Sequence, residues 1–245
     1  MDYRGNKLRH EFKYFINYHE YTYLKARLEG IMSYDVNSGK DGYHIRSLYF
    51  DDIYDTALSE KLSGVQFRQK YRIRIYNKDD SIIKLERKEK YSDSISKQSL
   101  SLTKKQFYQI IENDDLTFLL QSNKEMPKQM FWHIRTRQLA PAVVVDYQRE
   151  VFTCNEGNVR ITFDRNLEAG IDTADIFDTD ITLVSAFPPN TLILEVKYDD
   201  YIPDYILSAL QIHSHKKEAI SKYVYCRMVQ LKWNPARRVL RKERY

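Results

Sequence analysis

Polar and apolar residues alternate along residues 70–90, KYRIRIYNKDDSIIKLERKEK. A strand sends successive side chains to opposite faces, so period-two alternation predicts a half-buried strand. The polar break Asn77-Lys78-Asp79-Asp80 divides this stretch into a hairpin. The same alternation predicts strands over residues 8–15, 43–50 and 191–198. Residues 142–153 and 158–165 read as a second hairpin around Glu156-Gly157-Asn158, and a short strand or loop is expected at 96–100. Helical spacing appears between these runs. Asn17 with Glu20 three residues on is a capping-box pattern, and so is Thr103 with Gln106. Asp51, Asp52 and Asp55 read as the start of a helix ending near Leu62, where carboxylates suit the macrodipole better than they suggest a metal. Residues 114–139 read as further helix, and two more helices are expected from Pro203 and from Ser221. Residues 166–190 are hard to read beyond one strand at 181–185. About eight antiparallel strands with helices between them predict an α+β chain, one domain over residues 1–245, built on a sheet or barrel.

Charge sharpens the picture. On the 70–90 hairpin Lys70, Arg72, Arg74, Lys84, Lys88 and Lys90 share one face with a single carboxylate, Glu86. Arg9, Glu11 and Lys13 share a face, as do Tyr147 and Arg149, then Arg160, Thr162 and Asp164, then Glu195 and Lys197. Like charges opposed across a sheet repel, so an anion is a direct reason to tolerate them. A solvated outer face shows the same alternation, and residue patterning leaves both readings open. A lining of Arg and Lys suits phosphate oxygens. Glutamates among them suit Mg²⁺ or Mn²⁺, which prefer carboxylate and phosphate oxygens. Tyr147 is either part of a substrate platform with Arg149 or a structural ring.

Composition excludes more than it selects. Only 7 glycines, and no GxGxxG or GxxxxGK[ST] run, leave Gly-rich phosphate loops unsupported. Cys154 and Cys226 lack a partner motif and fit a reducing compartment. No apolar run reaches the roughly 18–20 residues of a membrane span, and the N-terminus lacks an apolar signal region. A cytoplasmic protein is expected. His213 and His215 have no metal-ligand spacing and read as surface residues. The net charge of +5 permits a polyanionic partner without requiring one.

Nine stretches resemble the VTC domain in the form of bacterial polyphosphate-polymerase-domain proteins, within the triphosphate tunnel metalloenzyme superfamily. They are RHEFKY (9–14), IRSLYFDD (45–52), KYRIRIY (70–76), KLERKEK (84–90), SKQSLSLT (96–103), DYQREVF (146–152), VRITFD (159–164), LILEVKY (192–198) and ISKY (220–223), in family order. The resemblance implies an antiparallel β-barrel of about eight strands forming a triphosphate tunnel, with helices packed around its outside. It implies transfer of the terminal phosphoryl group of ATP to a growing polyphosphate chain, with Mn²⁺ or Mg²⁺. Carried over by position, Lys13, Arg72, Arg74, Lys88, Lys97, Arg149 and Arg160 hold phosphates, and Lys197 and Lys222 complete the basic lining. Tyr147 joins the substrate side. The catalytic roles fall on Arg72, Arg74, Lys88, Arg149 and Glu195. Glu195 holds the metal, with Glu11 as a second acid. Arg9 stands where the superfamily has a first acid, and Ala219 where the fungal domain has a lysine.

The partners implied are ATP and polyphosphate. Triphosphate hydrolysis on the same tunnel, and binding without catalysis, are the alternatives. The basic tail, with Arg237, Arg238, Arg241, Lys242 and Arg244, reads as a solvated helix end or a docking segment rather than a nucleic-acid site; an anionic membrane or a membrane-protein partner is equally open to it.

Overall fold

The computed structural model describes residues 10–91, 94–210 and 216–233. The expectations resting on Arg9, His213, His215 and the basic tail lie outside the described residues. The elements in order are β1 (His10–Asn17), α1 (Tyr18–Glu29), β2 (Ser33–Tyr34), β3 (Tyr43–Asp51), α2 (Thr56–Leu62), β4 (Phe67–Tyr76), β5 (Asp79–Tyr91) and β6 (Ser94–Leu102). Then come α3 (Lys104–Glu112), α4 (Thr117–Leu120), α5 (Glu125–Arg137), β7 (Ala140–Cys154), β8 (Val159–Gly170), β9 (Leu183–Ser185), β10 (Thr191–Tyr198), α6 (Asp204–Leu210) and α7 (Lys222–Trp233). The fold is α+β and rich in antiparallel sheet.

The chain divides into two compact units. The first draws its described residues from Met1–His44, Tyr147–Leu167 and Phe187–Ser221; the second from Ile45–Asp146, Glu168–Ala186 and Lys222–Tyr245. Both β7 and β8 contribute to each unit.

In the first unit the strand order is β1-β10-β8-β7, with β2 on the end of β7. One sheet face is apolar: Tyr14, Ile16, Ile161, Phe163, Leu194 and Val196 pack against Tyr21, Leu24 and Leu28 of α1 and Ile206 and Leu210 of α6. The other face carries the charged residues. α1 is set by the expected capping box, with Asn17 Oδ1 accepting from Glu20 N and Glu20 Oε2 accepting from Asn17 N. Gly157 turns the chain from β7 to β8 at φ 65°, and a Cβ there would meet the Tyr201 carbonyl oxygen at 2.3 Å.

In the second unit the order is β7-β3-β4-β5-β6, with β9 on the end of β8. Its apolar face buries Leu48, Phe50, Ile73, Ile75, Ile83 and Leu85 against Phe107, Leu119, Met126 and Met130 of α3, α4 and α5. The carboxylates at the start of α2 act as backbone acceptors. Asp51 Oδ1 accepts from Ala57 N at 2.9 Å, and Asp52 Oδ1 accepts from Thr56 N at 3.0 Å. Asp51 and Asp52 thus serve the helix start as expected, from just before the first turn, whereas Asp55 makes no cap bond and pairs with Arg227 at 2.5 Å.

Four expectations change. Among the described residues the strand order has two ends, β1 and β6, so the ladder is open where a closed barrel was expected. The edges explain it. The carbonyl of Lys13 on β1 accepts from Glu218 N at 3.0 Å, so a loop occupies that edge. β6 reads SISKQSLSL, whose serines and Lys97 suit an edge strand. The 114–139 helix is two helices, broken at 121–124 by a turn around Ser122 and Asn123. The short strand at 96–100 is a full nine-residue strand. The hairpin turn narrows to Asn77 and Lys78, both at positive φ (51° and 58°).

Candidate functional site

Each unit gathers charge on the sheet face opposite its core. In the second unit, β4 presents Lys70, Arg72 and Arg74, and register places Lys88, Glu86 and Lys84 opposite them on β5. Glu86 is 2% exposed. Arg72 Nε donates to Glu86 Oε2 at 2.7 Å, and Lys97 of β6 pairs with Glu86 Oε1. Burial pushes the Glu86 carboxyl up, but Arg72, then Arg74 and Lys97, more than reverse it, to about 2. Arg72 Nη1 donates to the Tyr49 hydroxyl oxygen at 2.9 Å, and Arg74 Nε donates to Ser47 Oγ at 3.0 Å. Burial would raise the Tyr49 phenol; Arg72 and Arg74, with Lys222 at the start of α7, bring it below its ordinary value. This is a preformed cationic surface with one internal counter-ion.

In the first unit, register on β1 and β10 places Glu11 opposite Lys197 and Lys13 opposite Glu195. Glu195 lies opposite Thr162, and Lys197 opposite Arg160, on β8. Lys13 Nζ reaches Glu11 Oε1 at 2.8 Å. Lys197 Nζ pairs with Glu195 Oε1 and lies 3.8 Å from Glu11 Oε2. Burial would depress the Lys13 ammonium, but Glu195 and Glu11 hold it above its ordinary range. Arg149 grips Asp164 with two bonds, Nε to Oδ1 at 2.6 Å and Nη2 to Oδ2 at 2.7 Å, and lies 3.9 Å from Glu195 Oε2. Its guanidinium rests over the buried Tyr147 ring, 5.4 Å from the centroid. Arg160 turns toward Asp35, 3.4 Å away.

Of the predicted residues, Arg72, Arg74, Lys88, Lys97 and Lys222 therefore fall in the second unit's cluster. Glu11, Lys13, Tyr147, Arg149, Arg160, Glu195 and Lys197 fall in the first unit's. Sequence reasoning gave no role to Tyr49, Ser47 or Asp164, and read Glu86 only as a carboxylate among the hairpin's cations. Asp164 and Glu86 were visible as the carboxylates within their cationic alternations. Tyr49 had no local signal, because β3 is buried at every residue from Ile45 to Asp51.

The donors partly fit a divalent cation. Glu11 and Glu195 offer hard oxygens, and Thr162 Oγ1 is buried with no hydrogen-bond partner directly across from Glu195. No group of three His, Cys, Asp or Glu among the described residues could hold a metal ion. Mg²⁺ commonly binds through one or two carboxylates plus phosphate and water, and that sharing is the mode open here.

Comparison with known proteins adds a family. No curated protein matches the chain. Among solved structures, the PH1819 protein of Pyrococcus horikoshii OT3 is 13% identical, with a TM-score of 0.44, over 91% of this chain and 99% of its own. The bh2851 protein of Bacillus halodurans, provisionally named an adenylate cyclase, is 12% identical with a TM-score of 0.49, over 88% of this chain and 93% of its own. Likeness at these levels carries no argument about activity. The VTC domain family matches residues 8–230, a span that holds both charged clusters, and the chain belongs to that family.

Proposed function

We propose that this protein is a metal-dependent polyphosphate polymerase, passing the terminal phosphoryl group of ATP to a polyphosphate chain. The observation that carries the reading is a preorganised set of cations held by buried carboxylates, Arg72 and Arg74 around Glu86 and Arg149 against Asp164, in a chain of the VTC domain family. Phosphoryl transfer asks little covalent chemistry of a protein; it asks for positioning and for stabilisation of spreading negative charge. Arg72, Arg74, Lys88, Lys97 and Lys222 would hold phosphate oxygens in one cluster, and Lys13, Arg149, Arg160 and Lys197 in the other. Glu195, with Glu11, would hold Mn²⁺ or Mg²⁺. The ion would supply neutralisation of phosphate charge. Tyr147 would support Arg149 from below. Two further readings stay with the proposal: the unpaired thiols of Cys154 and Cys226 suit the cytoplasm, and the basic tail suits a membrane-protein partner.

Incubation with ATP and Mn²⁺ tests the proposal, reading ADP and acid-insoluble polyphosphate together. Both should appear. Arg74→Ala and Glu195→Ala should each lower the rate by roughly 10²–10³-fold, as for loss of a transition-state electrostatic contact, while circular dichroism stays unchanged. Full synthesis in both variants would overturn the site assignment. Orthophosphate without polymer would move the reading to a hydrolase.

One observation favours binding without catalysis. Both oxygens of Glu11 and of Glu195 already lie within 4 Å of a lysine or arginine nitrogen, so a metal must displace ion pairs to enter. Salt-sensitive polyphosphate binding with no ADP would select that reading.

A further inference from the structure

Three lysines stand directly opposite one another across three strands of the second unit. Lys70 of β4 pairs in register with Lys88 of β5, and Lys88 with Lys97 of β6. Directly opposed like charges destabilise a sheet. The next row, Arg72 opposite Glu86 opposite Ser99, contains its own counter-ion. The row on the other side, Arg68 opposite Lys90 opposite Ile95, contains none. Lys97 leans diagonally to Glu86. Lys70 instead places its ammonium 4.7 Å from the centroid of the Tyr223 ring on α7. The Tyr223 hydroxyl donates to Asp51, the last residue of β3.

The charged groups acting most strongly on Lys70 are Lys61 of α2, Arg68 of its own strand, Lys88 of β5 and Asp51 of β3, and the Tyr223 phenol of α7 faces it too. Burial, then Lys61, Arg68 and Lys88, lower the Lys70 ammonium to about 7, and Asp51 opposes them only in part. An anion placed on the row would remove the repulsion that favours the neutral amine, because a nearby opposite charge favours the charged form.

We propose that the Lys70–Lys88–Lys97 row binds one phosphate group of a polyphosphate chain and that Lys70 takes up a proton as the phosphate arrives. The inference rests on the reading that this sheet face binds phosphates. It adds Lys70 as a ligand and makes the occupancy of this row fall as pH rises.

The test is calorimetric titration of the full chain with inorganic tripolyphosphate at pH 7, in buffers of different ionisation enthalpy, which counts protons taken up on binding. Lys70→Arg keeps the charge at every pH and Lys70→Met removes it. Protons exchanged by the phosphate itself are common to all three proteins. The wild type should take up about half a proton more than Lys70→Arg at pH 7, since a group titrating near 7 is half charged there. The ratio of wild-type to Lys70→Arg affinity should fall between pH 6 and pH 9, because the ionisation of tripolyphosphate itself acts equally on both proteins. Lys70→Met should bind roughly tenfold more weakly at pH 6, the loss expected for one charged hydrogen bond. Equal proton uptake in wild type and Lys70→Arg overturns the proposal, and so does a wild type that does not bind tripolyphosphate. Extra proton uptake by the wild type over Lys70→Arg without polymer synthesis overturns the polymerase reading and leaves this one standing; polymer synthesis with equal uptake in the two proteins does the reverse.

Discussion

At the residue scale, the site depends on which cation meets which carboxylate. Glu86 is buried between Arg72 and Lys97, and its carboxyl titrates at about 2 against an ordinary 4.5. A depressed carboxyl contributes stability in full above its unfolded value and loses it as pH falls through the folded one. Wild-type stability should therefore drop by about 2 kcal/mol between pH 4.5 and pH 2 on account of this group. Glu86→Gln should be less stable at pH 7 and show a flatter acid profile in urea titrations; an unchanged acid limb would show that the ion pairs contribute nothing. Arg149 likewise holds the buried carboxylate of Asp164 by two hydrogen bonds. Breaking a buried ion pair from one side strands the other charge.

At the element scale, the β4–β5 hairpin sets the second unit's cluster. Its two-residue turn needs positive φ at both Asn77 and Lys78, the geometry of a type I′ turn, which suits the twist of flanking strands and favours Asn-Gly. Asn77 meets that demand and Lys78 does not. Lys78→Gly should raise stability by roughly 0.5 kcal/mol by relieving the left-handed conformation, measured as a higher urea midpoint with unchanged slope. No gain, or a loss, would mean that chain entropy outweighs the strain. The hairpin was legible because alternation and turn composition are local. The extent of β6 was not. SISKQSLSL has weak strand propensity, and its nine residues are held by the ladder that β5 offers. The break between α4 and α5 did leave a signal, Pro127 in the first turn of α5, because a proline inside a helical pattern marks a boundary near it.

At the scale of the whole molecule, two cationic clusters and a net charge of +5 should make polyphosphate a stabilising ligand. At a tripolyphosphate concentration of about 100 Kd the gain is about 2.7 kcal/mol, which for a chain this size is on the order of 5–10 °C in Tm. The shift should shrink as salt is added, and a salt-independent shift would argue against a charged site. Alternation by itself assigns Arg72, Arg74 and Lys88 to one face and Glu11 and Lys13 to another, because the two-residue period of a strand is a property of consecutive residues. The capping boxes at Asn17 and Thr103 were legible for the same reason: each needs only four residues in a row. Tertiary structure alone decided that Arg149 is committed to Asp164, that Arg160 turns to Asp35, that Tyr49 joins the arginines, and that three lysines align in one row. Each depends on the register between strands or loops distant in the chain. Register is set by packing of the apolar faces and by which edges are already occupied, and no local pattern contains either.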